Sequence, residues 1–238
     1  LYSQWQCIIE VPTVSIHDPS TDRYPLSSYF SHRTHIPRIG FWNPFIYETD
    51  GPLNKTKLIV FAAIALGFML ISKPVYFYGK GILAESLIQD AWEKTKVSQQ
   101  DEKPWGWADI HPVGHISIPA VGISHIVLDN ISGQSLAFGP GHLSNSATPG
   151  ASGNIVIAGH RDSFFRPLKN IKVGDMIKLE SKYNTQYYNV MEIVPTQAND
   201  IYWVEDTDYD CITLITCYPF DYIGEATERF IVRARVVE

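Results

Sequence analysis

Three side chains with useful chemistry each stand at the end of an apolar, strand-like run of residues. Cys217 ends one run, His160 ends an earlier one and Arg229 opens a later one; the runs cover residues 210–217, 154–160 and 229–237. Short β-branched runs bounded by turn residues are typical of buried strands. A thiol, an imidazole and a guanidinium gathered at strand ends would provide the groups that nucleophilic acyl transfer needs.

The composition limits the class of protein. The 238-residue chain is 45% hydrophobic and has a net charge of −6, so it can form one domain with accessory segments, and it lacks the basic footprint of a nucleic-acid-binding protein. Its three cysteines, Cys7, Cys211 and Cys217, form no pattern that would predict a zinc site or a disulfide scaffold. Cys211 and Cys217 stand on one face of a predicted strand, roughly 20 Å apart, and cannot pair with each other.

The beginning of the chain shows no sustained periodicity. Residues 1–54 are rich in proline, histidine, serine and aromatic side chains. We expect them to be an unstructured extension, or a segment upstream of the natural start of the protein. A mature peptide that contains Trp5 or Trp42 would contradict the second alternative.

An apolar run follows at residues 58–71. It is shorter than the roughly 20 residues that a membrane-spanning helix needs, but a second apolar stretch extends it beyond Pro74. No small-residue cleavage site follows, so we expect an uncleaved signal anchor over residues 55–79 that contacts the lipid bilayer through residues 58–78. The lysines before the run favour a single-pass protein in the cell (inner) membrane, with the rest of the chain on the extracytoplasmic or periplasmic side. The alternative is a buried core helix.

A helical linker is expected over residues 80–104. Apolar residues recur at helical spacing on one face, namely Leu83, Ala84, Leu87, Ile88 and Ala91. A polar segment at residues 98–104 marks the predicted domain boundary. The helix is expected either to extend as a stalk or to pack on the domain that follows.

From Trp105 onward the pattern is that of a β-protein. Candidate strands cover about residues 113–118, 122–128, 154–160, 175–180, 186–195, 210–217 and 229–237. Short helical pieces are predicted at residues 132–137 and 163–169. Seven or eight short strands within residues 105–238 predict a closed barrel or a sandwich.

The segments around the three chemical residues resemble the sortase family. Thr213-Leu214-Ile215-Thr216-Cys217 resembles the TLxTC signature, Ala158-Gly159-His160-Arg161-Asp162 resembles the catalytic-histidine segment, and Arg229 follows the cysteine by about a dozen residues, as in sortases. The resemblance covers residues 105–238. Around Cys217-Tyr218-Pro219-Phe220 the sequence is most similar to the sortases of Gram-negative bacteria.

This resemblance implies a fold and an activity. The expected fold is mainly β, a closed eight-stranded β-barrel with short helices preceded by an N-terminal transmembrane helix. The expected enzyme is a cysteine transpeptidase without a cofactor. It would cleave a protein substrate at an LPxTG-like C-terminal sorting motif, hold the acyl group as a thioester, and pass it to an amine acceptor.

Each of the three residues has a role that chemistry supports and an alternative. Cys217 would be the nucleophile, or else a buried structural cysteine. His160 would be the general acid and base, with His142 as the alternative histidine, interpreted as a structural loop residue. Arg229 would stabilise the substrate carbonyl or the oxyanion, because a guanidinium cannot act as a base; the alternative is a surface ion pair with a nearby glutamate, Glu225 or Glu228.

Other polar residues near these motifs receive weaker interpretations. Arg233 and Arg235 alternate with Arg229 on one face of the strand and are expected to form a charged face. The loop before the cysteine strand, residues 196–209, is expected to form a wall of the peptide groove. Its Tyr202 and Trp203, together with Thr216 of the signature, are the predicted substrate-binding residues.

The acidic stretch at residues 205–210 begins like a calcium loop. It has cysteines where such a loop has its glycine and its final glutamate. A solvated acidic loop is therefore the favoured interpretation, with calcium as the alternative and no metal ligand assigned.

Two alternatives to a transpeptidase are open from the sequence. One is a hydrolytic, sortase-like cysteine endopeptidase with water as the main acceptor. The other is a catalytically inactive β-barrel that binds peptide or polysaccharide.

Overall fold

The computed structural model describes residues 54–237. Within them, residues 54–73 and residues 74–237 belong to two different compact units. The predicted extension over residues 1–54, apart from Asn54, and Cys7 with it, lies outside the described residues.

The long helix α1 covers Lys55–Ser98 and runs through Pro74 without a break. By length and composition, it is the one helix of residues 54–237 that is apolar enough to cross a membrane. Its large apolar side chains from Leu58 to Tyr78 are mostly exposed. The anchor segment and the linker helix, which the sequence suggested as separate pieces, are thus parts of one helix.

The last turns of α1 pack onto the domain that follows. Ile88 joins a small buried cluster with Ala108, Ile110 and Leu128. The structure therefore matches the packed alternative for residues 80–98 and not the stalk. Three residues of the predicted apolar face, Ala84, Ile88 and Ala91, are buried, whereas Leu83 is 58% exposed. The difference arises because the buried face of the helix is centred on Trp92. Its buried residues are Ala84, Ile88, Ala91, Trp92 and Thr95.

Eight strands form the closed barrel that the sequence and the family resemblance predict. Their bounds are β1 Pro112–Ile118, β2 Ile123–Leu128, β3 Gly141–His142, β4 Asn154–Ala158, β5 Met176–Ser181, β6 Thr185–Gln197, β7 Cys211–Tyr218 and β8 Glu228–Val236. Around the barrel the order is β1-β2-β3-β4-β7-β8-β6-β5, closed by the antiparallel pair of β5 and β1. The middle of this order, β4-β7-β8, brings together the three strands that carry the candidate catalytic residues.

Alternation along each strand separates the barrel interior from its outer face. Ile212 and Leu214 of β7 join the interior core together with Val232 and Ala234 of β8. Because successive side chains of a strand point to opposite faces, the odd-numbered residues of β7, Cys217 among them, lie on the outer face. That face is itself largely buried.

Short helical segments connect the strands. Helix α2 covers Gly133–Phe138, close to the predicted helix at residues 132–137. The piece predicted at residues 163–169 is a 3₁₀ turn at Arg166–Asn170. Two more 3₁₀ turns cover Pro119–Val121 and Ile201–Trp203, and the second of these belongs to the loop between β6 and β7.

Candidate active site

Cys217 and Arg229 face each other across the antiparallel pair of β7 and β8. The register pairs their Cα atoms directly. Side chains that are paired in this way lie on the same face of the sheet, with Cβ atoms about 5 Å apart. Cys217 is only 2% exposed and Arg229 is partly buried, so the thiol and the guanidinium share a sheltered environment.

His160 approaches Cys217 from the other neighbouring strand. Strands β4 and β7 are parallel, and their register ends with Ala158 opposite Ile215. The Gly159 amide continues the ladder by donating to the Ile215 carbonyl at 3.1 Å. Extending this register by two residues places His160 level with Cys217. His160 and Arg229 thus come from the two strands that neighbour β7, one on each side of Cys217.

Two local contacts fix the backbone that carries His160. The Thr216 hydroxyl donates to the Gly159 carbonyl at 2.7 Å, and the Phe165 amide donates to the His160 carbonyl at 3.0 Å. The fully buried Phe165 ring packs against Gly159 so closely that an added methyl group there would come within 2.8 Å of the ring. Position 159 therefore requires glycine, because any side chain there would collide with the Phe165 ring.

The guanidinium of Arg229 is held by backbone carbonyls. Its Nη1 donates to the carbonyl oxygens of Ala226 and Glu228, both at 3.0 Å. None of the ion pairs found in residues 54–237 includes Arg229, so the predicted alternative of an ion pair with Glu225 or Glu228 does not occur there. Its positive charge remains available to a bound group.

Burial sets the protonation of the histidine. Loss of solvent lowers the pKa of His160 below its ordinary value of 6.5, and the Asp162 carboxylate opposes this shift. At neutral pH the neutral imidazole is thus the prevailing form, which can accept a proton from a thiol or an amine.

A groove on the outer face of the barrel reaches this cluster. The space between its lining atoms, counted together with the open solvent above it, is about 570 Å³, and its lining includes Thr216 and Arg229. The apolar floor comes from strands β4, β7 and β8, through Val156, Ala158, Ile215 and Ile231. One wall is the loop between β6 and β7, as the sequence predicted, and the opposite wall contains Ile131 and Leu143.

The predicted substrate-binding residues have different surroundings. Trp203 is 6% exposed and lines the groove. Thr216 also lines it, although its hydroxyl is engaged with Gly159. Tyr202 is 58% exposed, is not part of the groove lining, and packs edge-on against Trp203.

The expected charged face is not open to solvent at Arg233. This side chain is 1% exposed and lies under the loop between β6 and β7, where it donates to the hydroxyl of Thr213 and to the carbonyl of Trp203. Sequence alternation correctly placed it on the face of Arg229, but the covering loop was not visible in the pattern. Arg235, the next residue on that face, is exposed as expected.

His142 and the acidic loop have structural surroundings. His142 is buried, and its Nε2 lies 2.9 Å from the Ala147 carbonyl oxygen, in keeping with a structural loop residue. In the acidic loop, Asp210 accepts from the Gly153 amide at 2.8 Å and Asp206 accepts from the Thr207 amide. Within residues 54–237 no three His, Cys, Asp or Glu side chains are placed together to hold a metal ion. The calcium alternative for the acidic loop stays a prediction.

Fold and site together define a β-barrel protein with a cysteine-centred candidate active site beside an apolar groove. The Sortase domain family model matches residues 116–237, slightly more than half of the chain, and the chain belongs to the sortase family.

Individual relatives agree with this membership. The chain is 31% identical over 126 residues to Sortase D of Bacillus subtilis, covering 52% of this chain and 63% of the relative. It is 32% identical over 123 residues to Sortase A of Listeria monocytogenes, covering 50% and 54% of the two chains. Less than two thirds of either relative is therefore spanned. The solved structure of a Clostridium perfringens Sortase D5 transpeptidase, at 24% identity and a TM-score of 0.55, has the same fold over 66% of this chain and 99% of that chain.

Proposed function

We propose that this protein is a membrane-anchored cysteine transpeptidase that cuts an LPxTG-like C-terminal sorting motif and transfers the acyl group to an amine. The observation that carries the proposal is the alignment of His160, Cys217 and Arg229 across three adjacent strands at the groove. Family membership supports the same chemistry.

The first half of the reaction forms a thioester. His160 takes the proton of the Cys217 thiol, and the thiolate attacks the carbonyl carbon of the substrate threonine. Arg229 stabilises the negative charge that develops on the carbonyl oxygen. The imidazolium then gives its proton to the nitrogen of the leaving glycine, the C–N bond breaks, and the acyl group stays on Cys217.

The second half returns the enzyme to its starting state. The neutral His160 takes a proton from the incoming amine, whose nitrogen attacks the thioester carbon. A new C–N bond forms as the C–S bond breaks, and the Cys217 sulfur recovers its proton from the imidazolium. Since burial lowers the pKa of His160, the base form that this step needs prevails at neutral pH.

The groove supports an apolar peptide as the substrate. Its floor of Val156, Ala158, Ile215 and Ile231 suits a leucine-proline pair, and its end at Arg229 suits the carbonyl that is attacked. Trp203 would contact the apolar side chains from the loop wall. Thr216 would act mainly by holding the end of β4, and Tyr202 stays a predicted contact at the rim.

The membrane location is also part of the proposal. Helix α1 supplies an exposed apolar surface from Leu58 to Tyr78, which would contact lipid. We propose a single-pass anchor over residues 55–79 in the cell membrane, with the catalytic domain outside the cytoplasm. The division into an extension over residues 1–54, the anchor, a linker over residues 80–104 and a catalytic domain over residues 105–238 stays a prediction.

The relatives reported above do not support a particular similarity to the sortases of Gram-negative bacteria. They therefore do not support an inner-membrane and periplasmic location either. These relatives come from Gram-positive bacteria. The finer assignment stays a prediction from the residues around Cys217.

A peptide cleavage assay tests the function. Peptides that vary each position of LPxTG are incubated with the protein in detergent, with and without an amine acceptor, and Cys217→Ala is the control. We expect cleavage between threonine and glycine, ligation to the amine, and loss of both in the control. Cleavage without ligation would favour the hydrolytic alternative, and peptide binding without turnover would favour the inactive barrel.

A further inference from the structure

A buried arginine lies beneath the wall of the groove. The guanidinium of Arg233 lies 4.7 Å from the centre of the Trp203 ring and 5.4 Å from that of Tyr202. Its Nη2 donates to the Trp203 carbonyl at 2.9 Å, and its Nε donates to the Thr213 hydroxyl at 3.1 Å. Strand β8 is thereby joined to the 3₁₀ turn that supplies the wall.

The charge of this arginine is balanced without a carboxylate. No ion pair among the described residues includes Arg233. Burying a guanidinium costs free energy unless its donors are satisfied, and aromatic faces attract such a cation most strongly when it is desolvated. The contacts with Trp203 and Tyr202 therefore stabilise both the charge and the position of the two rings.

A second strand holds the same carbonyl group. Asn154 of β4 is 1% exposed, and its Nδ2 donates to the carbonyls of Trp203 at 3.1 Å and Glu205 at 2.8 Å. Its Oδ1 accepts from the Thr213 hydroxyl at 2.8 Å, which links the asparagine to the partner of Arg233. The buried polar cluster of Asn154, Thr213 and Arg233 thus ties one loop to β4, β7 and β8.

The indole of Trp203 is fixed from its other side as well. Its Nε1 donates to Asp200 Oδ2 at 3.1 Å, and the same oxygen accepts from the Thr196 hydroxyl at 2.6 Å. With its carbonyl, its ring face and its ring nitrogen all engaged, Trp203 is presented to the groove in one orientation.

We propose that Arg233 and Asn154 are positioning residues that hold Trp203 as a preformed wall of the groove and thereby set its affinity for the apolar part of the substrate peptide. The peptide part of this inference rests on the proposed function; the anchoring of the loop does not. Arg233 lies four residues along β8 from Arg229, about 13 Å away. It acts on binding through Trp203 and touches no reacting atom.

The expected kinetic result is a change in KM with little change in kcat. For Arg233→Met we expect KM for the peptide to rise about tenfold while kcat stays within about twofold, because a preformed wall binds substrate and transition state alike. Arg233→Lys keeps a charge but loses the stacking and one of the two hydrogen bonds. Its KM should lie between the values for Arg233→Met and the wild type. Arg235→Met is the matched control: an exposed arginine on the same strand and face, where neither constant should change.

A double variant shows whether Arg233 acts through the tryptophan. If it does, the double variant should have nearly the same KM as Trp203→Leu alone, because the tryptophan that Arg233 positions is already absent. Fully additive effects of the two substitutions, or a fall in kcat with an unchanged KM, would overturn the proposal. The alkylation rate of Cys217 by a small reagent should stay at the wild-type value, which verifies that the variants are folded around the thiol.

Amide hydrogen exchange separates this inference from the proposed function. The amides of Tyr202, Val204 and Glu205 are bonded within the turn, and in Arg233→Met they should exchange at least about tenfold faster than in Arg235→Met. Unchanged exchange would overturn the anchoring whatever the activity is. Faster exchange in Arg233→Met, together with a wild-type protein that cleaves no peptide, would contradict the proposed function and still support the anchoring of the loop by Arg233.

Discussion

Cys211 and Cys217 lie on the same outer face of β7 in different chemical surroundings. Cys211 is 1% exposed, and its thiol donates to Asn154 Oδ1 at 3.4 Å. Burial raises the pKa of Cys211 above its ordinary value, which disfavours the reactive thiolate. Cys217 instead lies opposite Arg229 in the pairing of β7 and β8.

This difference predicts selective alkylation within one strand. Iodoacetamide at neutral pH should modify Cys217 and leave Cys211 unmodified, as read from fragment masses of the peptide that contains both. Activity should be lost in step with labelling of Cys217, and Cys211→Ser, which keeps a donor to Asn154, should retain the wild-type kcat. Equal labelling of both cysteines would contradict the assignment of Cys217 as the nucleophile.

Gly159 provides a second test at a single position. In Gly159→Ala the added methyl group meets the Phe165 ring, so we expect the His160 segment to shift and kcat/KM to fall about 10- to 100-fold. Gly106→Ala is the control, because a methyl group there meets nothing within 4 Å. Wild-type kinetics for Gly159→Ala would show that this close contact does not position the histidine.

Residue types and spacing suggested the three candidate catalytic residues, because each one ends or opens an apolar strand, and the resemblance to sortases separated His160 from the other histidines. The surroundings of Arg233 were not predictable in this way. Its burial depends on the loop between β6 and β7 folding back over the outer face, and its partners Thr213 and Trp203 are 20 and 30 residues away along the chain.

The parallel pair of β4 and β7 is the element that brings the histidine to the cysteine. The bond from the Thr216 hydroxyl to the Gly159 carbonyl closes this pair at the catalytic end. Both groups are buried, so losing the bond would leave a carbonyl without its donor.

Thr216→Val should therefore weaken both stability and catalysis. We expect the free energy of unfolding to fall by about 1–3 kcal/mol and kcat to fall, because the shape is kept while the buried carbonyl loses its donor. Denaturant unfolding and peptide kinetics measure the two effects. Thr185→Val, at an exposed position of β6, is the control and should change neither. A full retention of kcat would show that β4 keeps its register without this bond.

The predictability of the elements follows their length and regularity. Seven strands were visible in the sequence because their apolar residues alternate or run continuously. Strand β3 has only two residues and pairs through Gly141 and His142, which is too short for any periodicity. The continuity of α1 through Pro74 also went against the local pattern, since proline usually interrupts a helix.

Four histidines on or just after strands β1 to β4 are partly or fully buried. Burial lowers the pKa values of His115, His125, His142 and His160 below the ordinary value of 6.5. The unfolded chain therefore binds more protons than the folded chain as the pH falls through this range. The carboxyl groups with lowered pKa values, Asp101 and Asp200, act only at still lower pH.

The pH dependence of stability follows from these signs. We expect the free energy of unfolding to be at its plateau above pH 6.5 and to decrease steadily between pH 6.5 and 5. Denaturant titrations in detergent at several pH values measure the slope. His142→Gln should reduce the slope by removing one of the four groups, and a stability that increases toward pH 5 would contradict the burial of these histidines.

In the proposed mechanism Cys217 carries the acyl group from a sorting motif to an amine. The most direct test of this mechanism is the intact mass of the protein after rapid quenching with an LPxTG peptide. We predict a mass increase equal to the peptide up to its threonine, located on Cys217, absent in Cys217→Ala, and discharged by an added amine with formation of the ligated product. Peptide cleavage without a covalent intermediate, or an intermediate on any other residue, would contradict the account.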